Sequence, residues 1–129
     1  MKTDAVDYGI VSLKSRYSVT ETIDRLVKTL RSKDIKIFTR IDQKKEAERV
    51  GLSMRPMELL IFGDPKVGTP FMTEYPQMGI DLPLKALAWE DSGGDVYLSY
   101  NSPAYIQQRY ALPVKPFEAV EKQIEQSLK

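Results

Sequence analysis

Apolar residues recur along the chain with two different periods, which predict alternating helices and strands. Over residues 19–30 they return every three or four positions, as on one face of an amphipathic helix. Ser18 followed by Glu21 forms a capping box at the start of that helix. A strand is predicted over residues 35–41, where Ile35, Ile37, Thr39 and Ile41 alternate with Lys36, Phe38 and Arg40. Residues 57–62 are apolar nearly throughout and predict a central strand.

The remaining elements are predicted from shorter patterns and turn signals. They are a strand over 8–15, a surface helix over 43–50 capped by Asp42, a short helix over 71–75 begun by Thr69 and Pro70, strands over 84–90 and 96–100 joined by a turn at 91–95, a helix over 104–110 after Asn101-Ser102-Pro103, and a last helix over about 116–128. Hairpin and crossover connections together predict one two-layer α+β domain over residues 1–129, with a mixed sheet of about five strands and helices mostly on one face. No glycine-rich phosphate fingerprint follows a strand, which argues against a nucleotide-binding α/β fold.

The stretch from residue 55 to 84 is unusually rich in glycine and proline. Glycine adopts backbone angles that other residues avoid, and proline fixes φ and lacks an N–H donor. We therefore expect a loop held in one shape directly after the central strand. The stretch is also rich in methionine, including Met72. Adaptable thioether side chains suit a pocket lining or an interface, although filling of the core explains them as well.

Composition limits the chemistry that the chain can perform. It has 129 residues, is 42% hydrophobic and 29% charged, and carries a net charge of +1. This balance is typical of a globular domain and makes nucleic acid an unexpected partner. Histidine and cysteine are absent, which excludes disulfides, thiolate ligands, imidazole bases and the Ser-His-Asp triad. Any metal would need oxygen ligands, as magnesium and calcium do, and we predict neither a metal site nor a cofactor.

The first residues contain no continuous apolar stretch of the kind found in a signal peptide. No window approaches the roughly 18 apolar residues of a membrane span. The sequence therefore predicts a cytoplasmic protein that does not enter the membrane.

Several long segments agree in order with a known family. The segments TIDRLVKTL, IFTRID, RPMELLIFGDPKVGTPFM, DLPLKALAWED and VYLSYNSPAYI together resemble the DUF302 family of small bacterial and archaeal proteins of unknown function, over about residues 15–112. The resemblance implies a TATA-binding-protein-like α+β fold, with a curved, mostly antiparallel sheet backed by helices in the approximate order β-α-β-α-β-β-β-α. It implies no activity, cofactor or catalytic residue.

Three positions depart from the pattern of that family. Gln43 and Tyr110 stand where family members commonly have histidine, so any metal, haem or proton chemistry of those histidines is closed to this chain. Asp64 replaces the commoner asparagine of a Phe-Gly-Asn-Pro turn. Both residues close such a turn with a side-chain hydrogen bond, so the turn should form with one added charge.

Two groups of polar residues are candidate ligand contacts. Arg55, Asp64 and Lys66 flank the central strand and could converge on an anionic ligand, or they could serve as an ion pair, a turn residue and a solvated lysine.

Glu90 and Asp91 end the fourth strand opposite Tyr100 and Asn101, where paired carboxylates could share a proton or bind a hard cation. A turn residue and a charge at the sheet edge explain them equally. Four tyrosines late in the chain suit a stacking wall for a ligand, the amphipathic edge of the core or a subunit contact: Tyr97, Tyr100, Tyr105 and Tyr110.

The first functional hypothesis is therefore a non-enzymatic ligand-binding or interaction domain. Its candidate site residues are Arg55, Asp64, Lys66, Met72, Glu90, Tyr100 and Asn101. The surplus of aromatic residues and methionine further predicts a homodimer. The alternative is an enzyme that uses carboxylate, lysine or tyrosine acid–base groups, with or without magnesium. A third hypothesis, nucleic-acid binding, rests on analogy of fold alone.

Overall fold

A five-stranded antiparallel sheet and five α-helices make up the domain. The structure is a computed structural model and describes residues 8–129. The strands are β1 (Ile10–Ser15), β2 (Lys36–Asp42), β3 (Met57–Gly63), β4 (Leu84–Glu90) and β5 (Val96–Asn101). The helices are α1 (Val19–Ser32), α2 (Gln43–Arg49), α3 (Pro65–Glu74), α4 (Pro103–Arg109) and α5 (Glu118–Ser127), with a 3₁₀ helix at Pro76–Ile80. The strand order is β1-β5-β4-β3-β2.

The main core lies between the sheet and α1, which packs beside α5. Ile23, Leu26 and Leu30 of α1 are fully buried, as the helical period predicts. Burying a side chain of this size contributes about 1.5–3 kcal/mol. The residues of β4 beneath the helix are Ala86 and Ala88, and such small side chains leave room for a helix to pack closely on the sheet.

A second, smaller core joins α3, the 3₁₀ helix and α4. Its buried members are Met78, Leu82, Ile106 and Leu112. Leu84, at the start of β4, packs against both cores and therefore connects them. None of the helices within residues 8–129 is both long and apolar enough to cross a membrane.

Most predicted elements are confirmed, and the α+β domain with five strands is confirmed. All four strand pairings are antiparallel, so the sheet has no parallel pair of the kind that a mixed sheet would contain. The interior position of β3, between β4 and β2, is also confirmed.

The prediction of a loop directly after β3 was wrong, because a helix begins there. The side chain of Asp64 accepts a hydrogen bond from the backbone N–H of Lys66 at 2.9 Å and caps α3. Pro65 occupies the first helical turn, where a proline lacks only an N–H that would have no helical partner. The helix therefore starts at Pro65 and not after Thr69, and Pro70 lies inside it.

Candidate functional site

A cavity of about 610 Å³ opens between four parts of the chain. These parts are the connection between α1 and β2, the first turns of α3, the residues that lead into β4, and the start of α5. Its volume falls in the range of about 300–1,000 Å³ that is usual for small-molecule sites.

The walls of this cavity are mostly apolar. The apolar side chains are Ile35, Phe38, Pro65, Val67, Met72, Leu82, Pro83, Leu84, Phe117, Ala119 and Val120. Phe38 and Val67 are substantially exposed, at 42% and 46%. Large apolar groups at the surface are costly to leave in water, so a ligand that covers them would gain free energy from their burial.

Gly68 keeps the α3 side of the cavity open. A Cβ atom at this position would lie 3.7 Å from Leu82 Cδ1 and 3.9 Å from Met72 Cε, which is ordinary van der Waals contact. The absence of a side chain therefore leaves space at the wall of the cavity and is not forced by a close approach of the backbone.

The polar groups of the cavity are few. They are Lys33, Asp64, Thr69, Glu118 and Gln123. One oxygen of Asp64 is occupied by the cap of α3. Gln123 differs from the others because its Oε1 atom is buried and has no hydrogen-bond partner within the described part of the chain.

The sequence-predicted site residues do not all come together. Asp64 and Met72 line the large cavity. Lys66 is exposed and does not line it. Arg55 precedes β3 whereas Asp64 follows it, and a strand of this length spans roughly 20 Å. The predicted convergence of Arg55 with Asp64 was therefore wrong.

Tyr100 and Asn101 line a separate cavity of about 20 Å³, which has room for about one water molecule. The hydroxyl of Tyr100 donates a hydrogen bond to Glu121 at 2.8 Å. Burial, and then this hydrogen bond, raise the pKa of Tyr100 far above its usual range. The phenol is therefore a structural donor and is not poised to act as a base near neutral pH.

The carboxylate of Asp91 serves the turn that joins β4 to β5. Asp91 Oδ1 accepts hydrogen bonds from the backbone N–H groups of Gly93 and Asp95, both at 2.9 Å. Glu90 is half-buried, pairs with Val96 in the sheet and lines neither cavity. Within residues 8–129, no group of three or more acidic side chains is placed to hold a metal ion.

The four late tyrosines do not form one cluster. Tyr97 stacks on Trp89 with ring centroids 5.0 Å apart. Tyr100 lies on the other face of the sheet, because residues 97 and 100 of β5 differ by an odd number of positions. Tyr105 and Tyr110 belong to a third region around Arg109.

A polar cluster around Asp81 is a feature that the sequence did not reveal. Asp81 is 9% exposed and accepts a hydrogen bond from the hydroxyl of Tyr110. Arg109 Nε lies 3.6 Å from Asp81 Oδ2, and another nitrogen of its guanidinium donates to the hydroxyl of Tyr105 at 2.9 Å. Burial, followed by the bond to Asp81, raises the pKa of Tyr110 to about 12. At neutral pH the cluster therefore holds a protonated phenol against a carboxylate.

The two positions at which the resemblance leads one to expect histidine are far apart. Gln43 follows the end of β2, which pairs with the start of β3. Tyr110 contacts Asp81 just before the start of β4, which pairs with the end of β3. Gln43 and Tyr110 therefore lie towards opposite ends of the strands and do not share a site.

A second unpredicted group is the ion pair that the buried Glu58 forms with Arg40. This carboxylate, 5% exposed, accepts hydrogen bonds at 2.7 Å from Arg40 Nε and from the hydroxyl of Thr20. Arg40 also donates to Asp24 at 2.7 Å. Burial lowers the pKa of Arg40, but the bonds to Asp24 and Glu58 outweigh it and raise the pKa. The group joins β2 and β3 to α1, which is a structural role.

Comparison with known proteins finds relatives by both sequence and structure. Residues 11–129 match the family described as "Domain of unknown function DUF302". Fluoride-specific ion channel FluC 1 of Brucella suis biovar 1 (strain 1330) is 45% identical over 107 residues, which are 83% of this chain and 42% of that protein. FluC 1 of Brucella abortus biovar 1 is also 45% identical over 107 residues, which are 40% of its length. The chain thus spans about two fifths of these curated relatives.

One solved structure supports the fold independently. The crystal structure of an uncharacterized conserved DUF302 protein from Bacillus stearothermophilus superimposes with a TM-score of 0.74 at 18% identity, covering 93% of this chain and 95% of the other. The shared architecture and the match over residues 11–129 agree. The chain belongs to the DUF302 family.

Proposed function

We propose that the domain binds a small, mostly apolar organic molecule in the cavity between α3 and α5. The observation that carries this proposal is the cavity itself, with a volume of about 610 Å³ and mostly apolar walls. A site of that size with few polar groups has the usual composition of a ligand-binding pocket.

The chemistry around the cavity favours binding over catalysis. An acid–base enzyme needs a group whose pKa lies near the working pH. The two tyrosines with clearly raised pKa values, Tyr100 and Tyr110, are held in the protonated form. Neither of them lines the large cavity. The enzyme hypothesis therefore has less support than ligand binding.

The proposal can be tested by filling the cavity. Gly68→Leu places a side chain against Leu82 and Met72, where a Cβ atom already makes van der Waals contact. We expect the wild-type protein to bind Nile red with a rise in its fluorescence and a saturable rise in Tm, and Gly68→Leu to weaken binding at least about tenfold.

The matched control is Thr73→Leu, which adds the same side chain to an exposed position of α3 outside the cavity. This variant should bind the dye as the wild type does. Equal affinity of Gly68→Leu and the wild type, or no saturable binding by the wild type, would contradict the proposal.

A second candidate function concerns the relatives that are named fluoride channels. Because 83% of this chain aligns with two fifths of those proteins, we propose that the domain acts together with a fluoride channel as a ligand-responsive accessory module. Fluoride efflux from vesicles that contain the Brucella suis relative, with and without its matched segment, tests this idea. Identical efflux rates with and without the matched segment, both measured in the presence of the cavity ligand, would reject it.

We also propose that the domain forms a homodimer. Leu59, Leu87 and Trp89 lie on the sheet face opposite to that of Leu60 and Ala88, and they are only half-buried. A contact that covers them would remove apolar surface from water. Light scattering should give a dimer mass at micromolar concentration, and a monomer mass there would refute the proposal.

A further inference from the structure

Among the described residues of the cavity wall, only Gln123 has a buried side-chain oxygen or nitrogen atom that lacks a hydrogen-bond partner. Its Oε1 atom is buried without a partner among the described residues. Most buried polar atoms in proteins are paired, so an orphan of this kind calls for an explanation. Gln123 also lines the cavity.

The position of Gln123 on α5 explains why the chain itself does not pair this amide. Ala119 and Val120, four and three residues earlier, lie on the same side of the helix and line the cavity with it. Ile124, the next residue, turns into the main core and is 2% exposed. The amide is thus held at an apolar boundary between the helix and the cavity.

Charge around the cavity disfavours a carboxylate as the ligand group that pairs with this amide. Among the ionisable residues of the wall are two acids, Asp64 and Glu118, and one base, Lys33. Lys33 is exposed whereas Asp64 is half-buried. Water therefore screens the negative charge of Asp64 less than the positive charge of Lys33. Glu118 is exposed and its carboxylate lies 3.9 Å from the Lys115 ammonium, so the wall offers no excess of positive charge to an anionic ligand group.

We propose that Gln123 determines the specificity of the cavity and that the ligand is a neutral apolar molecule carrying a hydroxyl group. A hydroxyl both donates and accepts hydrogen bonds. It can therefore accept a hydrogen bond from the amide nitrogen, or donate one to Oε1 once the amide turns over and brings this atom from its buried position to the cavity. This inference rests on the proposed ligand-binding function.

The inference predicts a preference among three probes with one shared ring system: 2-naphthol, 2-methylnaphthalene and 2-naphthoate. The wild-type protein should bind 2-naphthol about tenfold more tightly than 2-methylnaphthalene, since one hydrogen bond is made. It should bind 2-naphthoate less tightly than 2-naphthol because the carboxylate would lose its water without meeting an excess of positive charge. Affinities can be measured by titration with probe fluorescence.

Gln123→Leu removes the amide and keeps a side chain of similar size. We expect this variant to bind 2-naphthol and 2-methylnaphthalene equally. Its Tm without ligand should rise, because the unpaired buried acceptor is gone. The matched control Gln126→Leu changes an exposed glutamine of the same helix and should keep the tenfold preference.

The outcomes separate this inference from the proposal on which it rests. Three results would overturn the role of Gln123 while leaving the cavity as a binding site. The wild type could bind all three probes with no preference for 2-naphthol, it could bind 2-naphthoate most tightly, or its preference could survive Gln123→Leu. Absence of binding by every probe would contradict both.

Discussion

Gly68→Ala offers a sharp test of the local structure around the cavity. The backbone N–H of Gly68 donates to the carbonyl of Asp64 at 2.9 Å, so the residue already takes part in helical hydrogen bonding in α3. Its φ angle lies outside the left-handed region, and a Cβ atom would have neighbours no closer than 3.7 Å. The substitution should therefore be accommodated without strain.

The expected gain follows from backbone entropy. Glycine inside a helix costs about 0.5–1 kcal/mol relative to alanine. Contact of the new methyl group with Leu82 and Met72 adds a smaller term of the same sign. We therefore expect the free energy of unfolding to rise by about 1 kcal/mol, which corresponds to about 3–5 °C in Tm for a domain of this size.

Urea denaturation followed by the fluorescence of Trp89 provides the assay, because this is the only tryptophan in the sequence. The midpoint should move to higher urea while the slope m stays constant. Gly51→Ala is the matched control, since Gly51 has a φ of +79° and nothing within 4 Å of a Cβ atom.

In Gly51→Ala the added methyl group should destabilise the protein by about 1 kcal/mol, because alanine disfavours a positive φ. A loss of stability in Gly68→Ala, or no effect in Gly51→Ala, would refute the reasoning.

Three further predictions concern groups outside the cavity. Glu58→Gln removes the charge that pairs with Arg40 and should lower the free energy of unfolding by about 1.5–3 kcal/mol, the range of hydrogen bonds to a charged group; a change below about 0.5 kcal/mol in urea denaturation would contradict a stabilising role of this pair. Ser18→Ala removes the hydroxyl that accepts from the N–H of Glu21 at 3.1 Å and should cost about 1 kcal/mol, measured in the same way. Tyr110 has a pKa raised to about 12, so its protonated form contributes stability that is fully present below about pH 10 and is lost as pH rises through 12. Tyr110→Phe should therefore lose less stability than the wild type over that interval, and parallel pH profiles would count against the bond to Asp81.

Local patterns predicted much of the fold, because they depend on residues close together in the chain. The period of α1, the Ser18 cap at its start and the turn before β5 are examples: Ser18 and Asp91 make the hydrogen bonds that their positions suggested. The start of α3 was placed too late because an aspartate before a proline serves equally well in a turn and as a helix cap. The structure shows that Asp64 is a cap.

The candidate site was only partly predictable, because its walls come from distant segments. Asp64 and Met72 belong to the glycine- and proline-rich stretch, whose composition predicted a shaped loop and a pocket lining. No local pattern marks Lys33 and Gln123 as cavity residues. They line the same cavity because α5 packs beside α1. The convergence of Arg55 with Asp64 was predicted wrongly because these residues flank β3, and an extended strand holds its two ends far apart.

The position of β1 at one edge of the sheet has a consequence for the order in which the chain is completed during synthesis. Among the strands of residues 8–129, β1 pairs only with β5, and Ile10 lies opposite Asn101, 91 positions later. The strands β2, β3 and β4 have neighbours that follow them much sooner along the chain. On the ribosome, β1 emerges before the other four strands of this sheet but has to wait for the last of them, and its Val11 and Leu13 stay without their sheet partners until β5 has left the exit tunnel.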